Sequence, residues 1–309
     1  MTRHLFILNP VAGTKDRTEK LKSVIEKLGI TDKYDVFVTD SKGAAVKEVE
    51  RYLREYNDDF TRIYSCGGDG TLAEVANGVY RSGSRECAIA VVPVGSGNDF
   101  VKSFDIPIEK LRSLRGLLDG DIVEIDLLLA SDDDKKERVS LNIISAGFDA
   151  AVTKDQDKYK KLPLVSGSMA YNLSLVKCLF TDMKNYFSLK VDGKAFGESN
   201  GPYLFTIAAN GRYYGGGYKA SPYSDLSDGV LEFVRIKTVS KLTLFALIGK
   251  FRAGRHIEEF KDICSYTRCE NMQFVSENII DLNVDGDVFP MKNPKVSILP
   301  KRIKLILPK

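Results

Sequence analysis

Residues 64 to 80 read YSCGGDGTLAEVANGVY, in which Gly67, Gly68 and Gly70 surround a lone carboxylate, Asp69, and Thr71 follows at once. Glycines at the end of a strand let backbone N–H groups approach phosphate oxygens, and the helix that follows adds its positive end. A bare carboxylate beside phosphate would repel it, so Asp69 needs a metal or hydroxyl partner; a magnesium ion bridging acid and phosphate meets that need. A second loop, PVGSGNDF, carries Gly95, Gly97 and Asn98. Neither loop is a standard nucleotide fingerprint. There is no GxxxxGK[ST], and Phe100 stands where GxGxxG needs its third glycine. Tight strand-to-helix packing is the competing explanation of such turns.

The second half offers acids. Asp285 and Asp287 lie in NVDGD, but Asp-Gly is also a favoured hairpin turn, and Val191-Asp192-Gly193 repeats the triplet in another expected hairpin. Spacing alone does not separate Asp285 from Asp192. Asp225 and Asp228 precede Gly229-Val230; three-residue spacing in a turn can put two carboxylates on one hard cation, or cap an Asx turn leading into a strand. His4 and His256 are the only histidines, too few for a Ser-His-Asp hydrolase, and both read as structural. No HExxH occurs. Five scattered cysteines without a CxxC suggest reduced thiols rather than a disulfide framework or a zinc site. Asp132 to Asp134 read as a solvated hairpin tip.

The elements that must position these residues change character along the chain. Up to about residue 125, short apolar runs (LFIL, YDVFVT, RIYSC, AIAVVP) alternate with helical patterns such as Leu21, Val24, Ile25 and Leu28. That alternation predicts a parallel sheet with helices on its faces, where ligands bind at the carboxyl ends of strands. Beyond it the spacing predicts a mostly antiparallel sheet domain, with hairpins over 122–146, 187–196 and 279–289 and strands at 202–210, 229–236 and 272–277. Helices are expected over 167–180 and 241–251. The strand at 302–308 could belong to either half, so the division is 1–125, completed by 292–309, and 126–291.

The ordered set of motifs closely resembles the diacylglycerol kinase catalytic-domain family, in its soluble bacterial lipid kinase branch. The residues that carry it are ILNPVAG at the start, VTDSKGAA, GGDGT followed by LAEVANG, PVGSGNDF, LNIISAGFDA, GGGYKASPYSDLSDGVLE and NVDGD. The resemblance covers nearly the whole chain and implies an N-terminal three-layer α/β domain of NAD kinase and phosphofructokinase type plus a C-terminal β sandwich. It implies an ATP site between the two domains from Asn9, Thr39, Gly67, Gly68, Asp69, Gly70, Thr71, Gly95, Gly97 and Asn98, with Asp69 beside the triphosphate and its magnesium. It makes Asp285 the base that takes the acceptor hydroxyl's proton. Asp287 stands where the family commonly has Glu. It also implies a structural magnesium site from Asp225, Asp228 and the Val230 carbonyl.

The 309 residues are 43% apolar and 28% charged, ordinary for globular domains, and the net charge of +3 does not argue for nucleic acid. No apolar run suits a signal peptide or a membrane span, so the expectation is a cytoplasmic protein that visits the membrane surface. Lys158, Lys160 and Lys161 beside LPLV, and Lys250, Arg252 and Arg255 after an apolar helix, are the basic groups placed to meet it. The reading is an ATP- and magnesium-dependent lipid kinase with diacylglycerol as acceptor. Alternatives are phosphatidylglycerol or a sphingoid base as acceptor, a NAD kinase, and a non-catalytic lipid- or nucleotide-binding regulator. A homodimer is left open by the resemblance.

Overall fold

The computed structural model describes residues 1–159, 173, 174, 177 and 183–309, excepting the side chains of 156–159. Most of the helix expected over 167–180, the Lys158 side chain, Lys160, Lys161 and Cys178 lie outside the described residues. The chain divides into two compact units, Met1–Ile125 with Lys301–Lys309, and Asp126–Pro300.

In unit 1, β1 (Thr2–Leu8), β2 (Lys33–Val38), β3 (Phe60–Gly67) and β4 (Cys87–Pro93) alternate with α1 (Thr18–Lys27), α2 (Ala44–Glu55) and α3 (Asp69–Ser82). All sheet neighbours are parallel, in the order β2-β1-β3-β4, and residues 305–306 extend the sheet beside β4. Strands covered on both faces need apolar side chains at every position, and β4 is buried from end to end. Helices α2 and α3 cross closely at Gly78, where a Cβ would fall 2.7 Å from Val49 Cβ.

Unit 2 is antiparallel. One sheet runs β15 (Asp287–Met291), β14 (Ile280–Val284), β7 (Ile143–Gly147), β10 (Gly201–Ala209), β11 (Leu231–Lys237), β12 (Cys264–Cys269). At its amino end β10 also pairs with β8 (Asn185–Val191), which continues into β13 (Asn271–Val275) and the start of β16 (Lys295–Leu307). Ile144, Phe233, Phe274 and Leu282 belong to the core shared by these strands. Ile143, Ile207 and Val234 instead meet α6 (Phe148–Tyr159) and α7 (Lys241–Arg252). The first sheet is therefore covered on both faces, and β10 and β11 are buried along nearly their whole length, Thr206, Glu232 and Arg235 included.

Three expectations change. The arm 138–146 is two strands: β6 (Glu137–Ser140) pairs with β5 (Asp121–Ser131), and the chain then breaks before β7 joins the other sheet. Strand β12 and helix α6 were not expected. Asp132 is not a solvated tip residue; its Oδ1 accepts the N–H groups of Asp134 (3.0 Å) and Lys136 (2.9 Å) and its Oδ2 that of Lys292 (3.2 Å), so it ties the turn together.

His256 opens the short helix α8 (His256–Glu259) and is fully buried against Phe251, with ring centroids 4.4 Å apart. Neither ring nitrogen makes a well-formed hydrogen bond, and the Ala220 carbonyl gives only a partial offset. Burial therefore holds the imidazole down to about 4 from its ordinary 6.5. At pH 7 both folded and unfolded chains carry it neutral. Below pH 6.5 only the unfolded chain takes the proton, so folding loses stability as pH falls toward the folded value. Urea unfolding should lose about 2 kcal/mol more between pH 7 and pH 5 in the wild type than in His256→Phe. Equal losses in the two proteins would show that His256 is not sealed from water. His4 is retained in both, so its own burial-lowered value cancels.

Candidate active site

The glycines of unit 1 join two loops at the carboxyl ends of β3 and β4. The Gly67 carbonyl accepts the N–H groups of Val94 (2.9 Å) and Gly95 (3.2 Å). A Cβ on Gly95 would stand 2.5 Å from the Gly68 Cα, and one on Gly67 would stand 2.2 Å from Thr71 Oγ1. These glycines are required by packing. Gly70 is not: it is exposed in the first turn of α3, and a Cβ there meets nothing within 4 Å. Its bare backbone faces open space at a helix N-terminus, where anions bind.

The other candidates of this half gather around the same loops. Asn9 Nδ2 donates to Thr71 Oγ1 (2.9 Å), and Asn9 Oδ1 accepts from Val11 N (3.1 Å). Asn98, at φ +48°, donates through Nδ2 to the Gly95 carbonyl (2.7 Å). A Cβ on Gly97 would lie 3.1 Å from Asp69 Oδ2, and Asp69 Oδ1 accepts the Phe100 N–H (3.2 Å). Thr39 follows β2 with its N–H on the Leu8 carbonyl (2.9 Å). Glu74, which the sequence reading missed, ties the next turn to α3 by accepting Gly43 N (2.7 Å) and Ala45 N (3.2 Å).

Burial, and then the neighbouring Asp99 carboxylate, push the Asp69 carboxyl above the usual carboxylate range. Asp99 is itself paired with Lys102 at 2.5 Å. Lys102 already offsets Asp99, so Asp69 is the acid beneath the glycine loops that would hold a divalent cation.

In unit 2, Asp285 sits at the first position of the β14–β15 turn with φ +49°. Its Oδ1 accepts from Ser140 Oγ (2.6 Å) and Ile143 N (3.1 Å), and its Oδ2 from Leu141 N (3.1 Å). The break between β6 and β7 thus wraps this carboxylate. Asp287 pairs with Val284 across the turn. Asp192, at φ +46°, does a similar task elsewhere: its Oδ1 accepts the N–H groups of Glu270 and Asn271, both at 3.0 Å.

Asp225, Asp228 and Val230 share one loop but are engaged separately. Asp225 Oδ1 accepts Ser227 N (2.9 Å), Asp228 Oδ1 accepts Val230 N (3.1 Å), and Arg268 Nη2 pairs with Asp228 Oδ2. Arg268 supplies the positive charge a metal would bring, so this loop does not fit a cation as it stands. Among the described residues no group of three or more His, Cys, Asp or Glu is arranged to hold a metal. The loop is fastened instead by Asp126, fully buried, whose Oδ2 accepts Gly229 N (2.6 Å). Asn210 Nδ2 bridges the carbonyls of Asp126 (3.0 Å) and Leu141 (2.9 Å), linking this loop to the segment around Asp285. The sequence reading missed Asp126, Ser140 and Asn210. A lone acid inside the apolar run of IVEIDLLLA was the signal for the first.

A parallel α/β unit with glycine loops at its strand ends, and an antiparallel unit that anchors an acid, define a kinase of the diacylglycerol kinase-like class. The diacylglycerol kinase catalytic domain model matches residues 3–130, and that of the YegS C-terminal NAD kinase beta sandwich-like domain matches residues 142–307. The chain belongs to the YegS-like family of lipid kinases, and membership implies ATP as phosphate donor. It is 27% identical over 310 residues to a "Probable lipid kinase YegS-like" of Xanthomonas oryzae pv. oryzae, covering 98% of this chain and 95% of that one. A protein of the same description from Yersinia enterocolitica is 29% identical over 311 residues, covering 100% and 98%. The crystal structure of a diacylglycerol kinase from Bacillus anthracis shares the fold, with TM-score 0.69 at 19% identity over 99% of this chain and 96% of that one.

Proposed function

We propose that this lipid kinase transfers the γ-phosphate of ATP to the free hydroxyl of diacylglycerol. The open face of Gly70 carries the nucleotide half of the reading: a glycine with no packing reason to be glycine leaves room for phosphate against its N–H. Asn9, Thr71 and Asn98 set the shape of the loops that meet the triphosphate, and Thr39 lies at the end of the neighbouring strand. When bound, magnesium would offset charge on the triphosphate. Asp285, oriented by Ser140, Leu141 and Ile143, takes the proton of the acceptor hydroxyl, with Asp287 in support. The direct test is transfer of labelled γ-phosphate into a panel of lipids in mixed micelles, beside Asp69→Ala and Asp285→Ala. Label in phosphatidic acid that disappears in both variants supports the assignment. Label in phosphatidylglycerol or a sphingoid base instead reassigns the acceptor, and label in NAD removes the lipid reading.

Unit 2 contains a small apolar pocket of about 40 Å³, with Asp149 in its wall. Phe148, Phe205, Tyr214 and Tyr218 line it together with Leu244, Leu247 and Phe251 of α7. The other face of α7 exposes Leu242 (84%) and Phe245 (61%), three residues apart and therefore on one side of the helix. We assign this face to the bilayer surface from which the substrate is drawn. The cations at the carboxyl end of the helix carry less of the attraction: Lys250 and Arg255 both pair with Glu259 (2.6 and 3.2 Å). No helix among the described residues is long and apolar enough to cross a membrane. Leu242→Asp with Phe245→Asp should weaken vesicle binding on the order of 100-fold, with turnover of a short-chain soluble diacylglycerol unchanged. Undiminished vesicle sedimentation would rule this face out.

A further inference from the structure

The amino ends of β4 and of the 301–307 segment of β16 border a cavity of about 280 Å³ within unit 1. Arg85, Arg302 and Lys304 line it over an apolar floor of Val79, Ile89 and Ile303. Glu124 is the single carboxylate of this lining, so three cations against one acid leave a charge of +2. Burial pushes the Cys87 thiol of the wall up to about 11, which keeps it neutral.

The cations are held in place by backbone oxygens. Arg85 Nη1 donates to the carbonyls of Lys301 (3.0 Å) and Arg302 (3.2 Å), and Lys304 Nζ donates to the carbonyl of Arg85 (3.0 Å). Such bonds fix position without cancelling charge. Arg302 Nη1 is buried and has no acceptor among the described residues. Its guanidinium stands over the Tyr80 ring at 5.6 Å, and burial, with Arg85 nearby, pulls it below its ordinary value. A buried donor without a partner costs about 1–3 kcal/mol, and more when charged. A phosphate oxygen would remove that cost and supply the missing negative charge through charge-assisted hydrogen bonds.

We propose that this cavity is a second anion site, taking the phosphate group of a small phosphate ester or of a phospholipid headgroup, with Arg302 and Arg85 as its recognising cations. Its volume is just below that of pockets for drug-sized ligands, about 300 Å³ and upward, which suits a small ester better than a nucleotide. Strand β4 has seven residues. At about 3.3 Å per residue the cavity lies roughly 20 Å from the glycine loops at the other end of the strand, so one ligand does not fill both. The site is independent of the proposed acceptor and of the nucleotide assignment.

The test titrates the whole protein with inorganic phosphate and with glycerol 3-phosphate by calorimetry, in the presence of saturating non-hydrolysable ATP analogue. Arg302→Gln and Arg85→Gln are each expected to weaken phosphate binding at least about tenfold, the loss of one charge-assisted contact, without altering affinity for the analogue. Arg85 is exposed, so its variant keeps the test informative if Arg302→Gln folds poorly. Should the analogue itself not bind, the phosphate isotherms of the variants still report on the cavity. Vesicles of phosphatidylglycerol and of phosphatidylcholine separate the two sources. Binding to the anionic vesicles alone, lost in Arg85→Gln, assigns a headgroup, and binding only of the soluble esters assigns a small molecule. Phosphate isotherms that are unchanged in both variants, or no binding by wild type of either esters or vesicles, would overturn the proposal.

Discussion

Replacing Gly70 by alanine should weaken ATP binding by about 10- to 100-fold while the fold becomes no less stable. The two halves of this expectation come from different facts. Gly70 is the second residue of α3, its φ is not positive, and a Cβ there touches nothing. Alanine is the better helix former by up to about 1 kcal/mol, so the thermal midpoint should hold or rise. The methyl group would nevertheless occupy the space through which a phosphate oxygen reaches the N–H groups of the first turn. Losing one hydrogen bond to a charged partner, at about 1.5–3 kcal/mol, gives the stated loss in affinity. Gly67 provides the contrast. A methyl there lands 2.2 Å from Thr71 Oγ1, and Gly67→Ala should cost about 1–3 kcal/mol of stability by overpacking. Loss of ATP binding in Gly67→Ala therefore says little about the ligand, whereas the same loss in Gly70→Ala speaks directly for it. Calorimetric titration with ATP, beside a thermal melt of each variant, makes the comparison. If Gly70→Ala bound ATP within twofold of wild type, the nucleotide would not lie along this turn.

The glycine loops show how far sequence alone reaches. Their place after short apolar strands was readable because strands buried on both faces admit few polar residues, and β4 and the LFIL end of β1 follow that rule. Which of their glycines serve packing and which serve a ligand was not readable. The distinction depends on Gly95 meeting Gly68 across two loops, a contact that spacing does not encode. The second unit was harder for the same reason. Strand β12 was missed because CSYTRC is mostly half-buried and alternates weakly, and the arm 138–146 read as one strand because nothing in RVSLNIISA marks the break. That break exists to wrap the Asp285 carboxylate, which lies 145 residues from Ser140. Asp126 and Asn210 escaped notice likewise, since each acts through backbone groups distant in sequence.

Asp285 and Asp192 offer the sharpest test of chemistry against architecture. Both open an Asp-Gly turn, both lie at positive φ, and both carboxylates hold backbone N–H groups of another segment. Asparagine tolerates that backbone region, so the substitution to Asn isolates the carboxylate in each case. Asp192 accepts through Oδ1 alone, including a third contact from Asn271 Nδ2 at 3.3 Å. An amide oxygen can take over those contacts, and Asp192→Asn should cost less than about 1 kcal/mol. Asp285 uses both oxygens, so Asp285→Asn turns an NH₂ toward the Leu141 N–H and should cost about 1–2 kcal/mol. Stability alone would thus show a modest difference. Turnover should not be modest: if Asp285 takes the proton of the acceptor hydroxyl, kcat falls by about 10²- to 10⁴-fold in Asp285→Asn, with KM for ATP unchanged. Asp192→Asn should keep kcat within about threefold, since no base is removed. Both variants are assayed well below their unfolding midpoints, so that loss of folded protein does not imitate loss of chemistry. Ser140→Ala removes one of the donors that orient Asp285 and should give an intermediate fall in kcat, again with KM for ATP unchanged. Should Asp285→Asn instead lose no more turnover than Asp192→Asn, Asp285 would be a structural turn residue whose task is to hold the Ser140–Ile143 segment, and the proton acceptor would have to be sought in the glycine loops at Asp69.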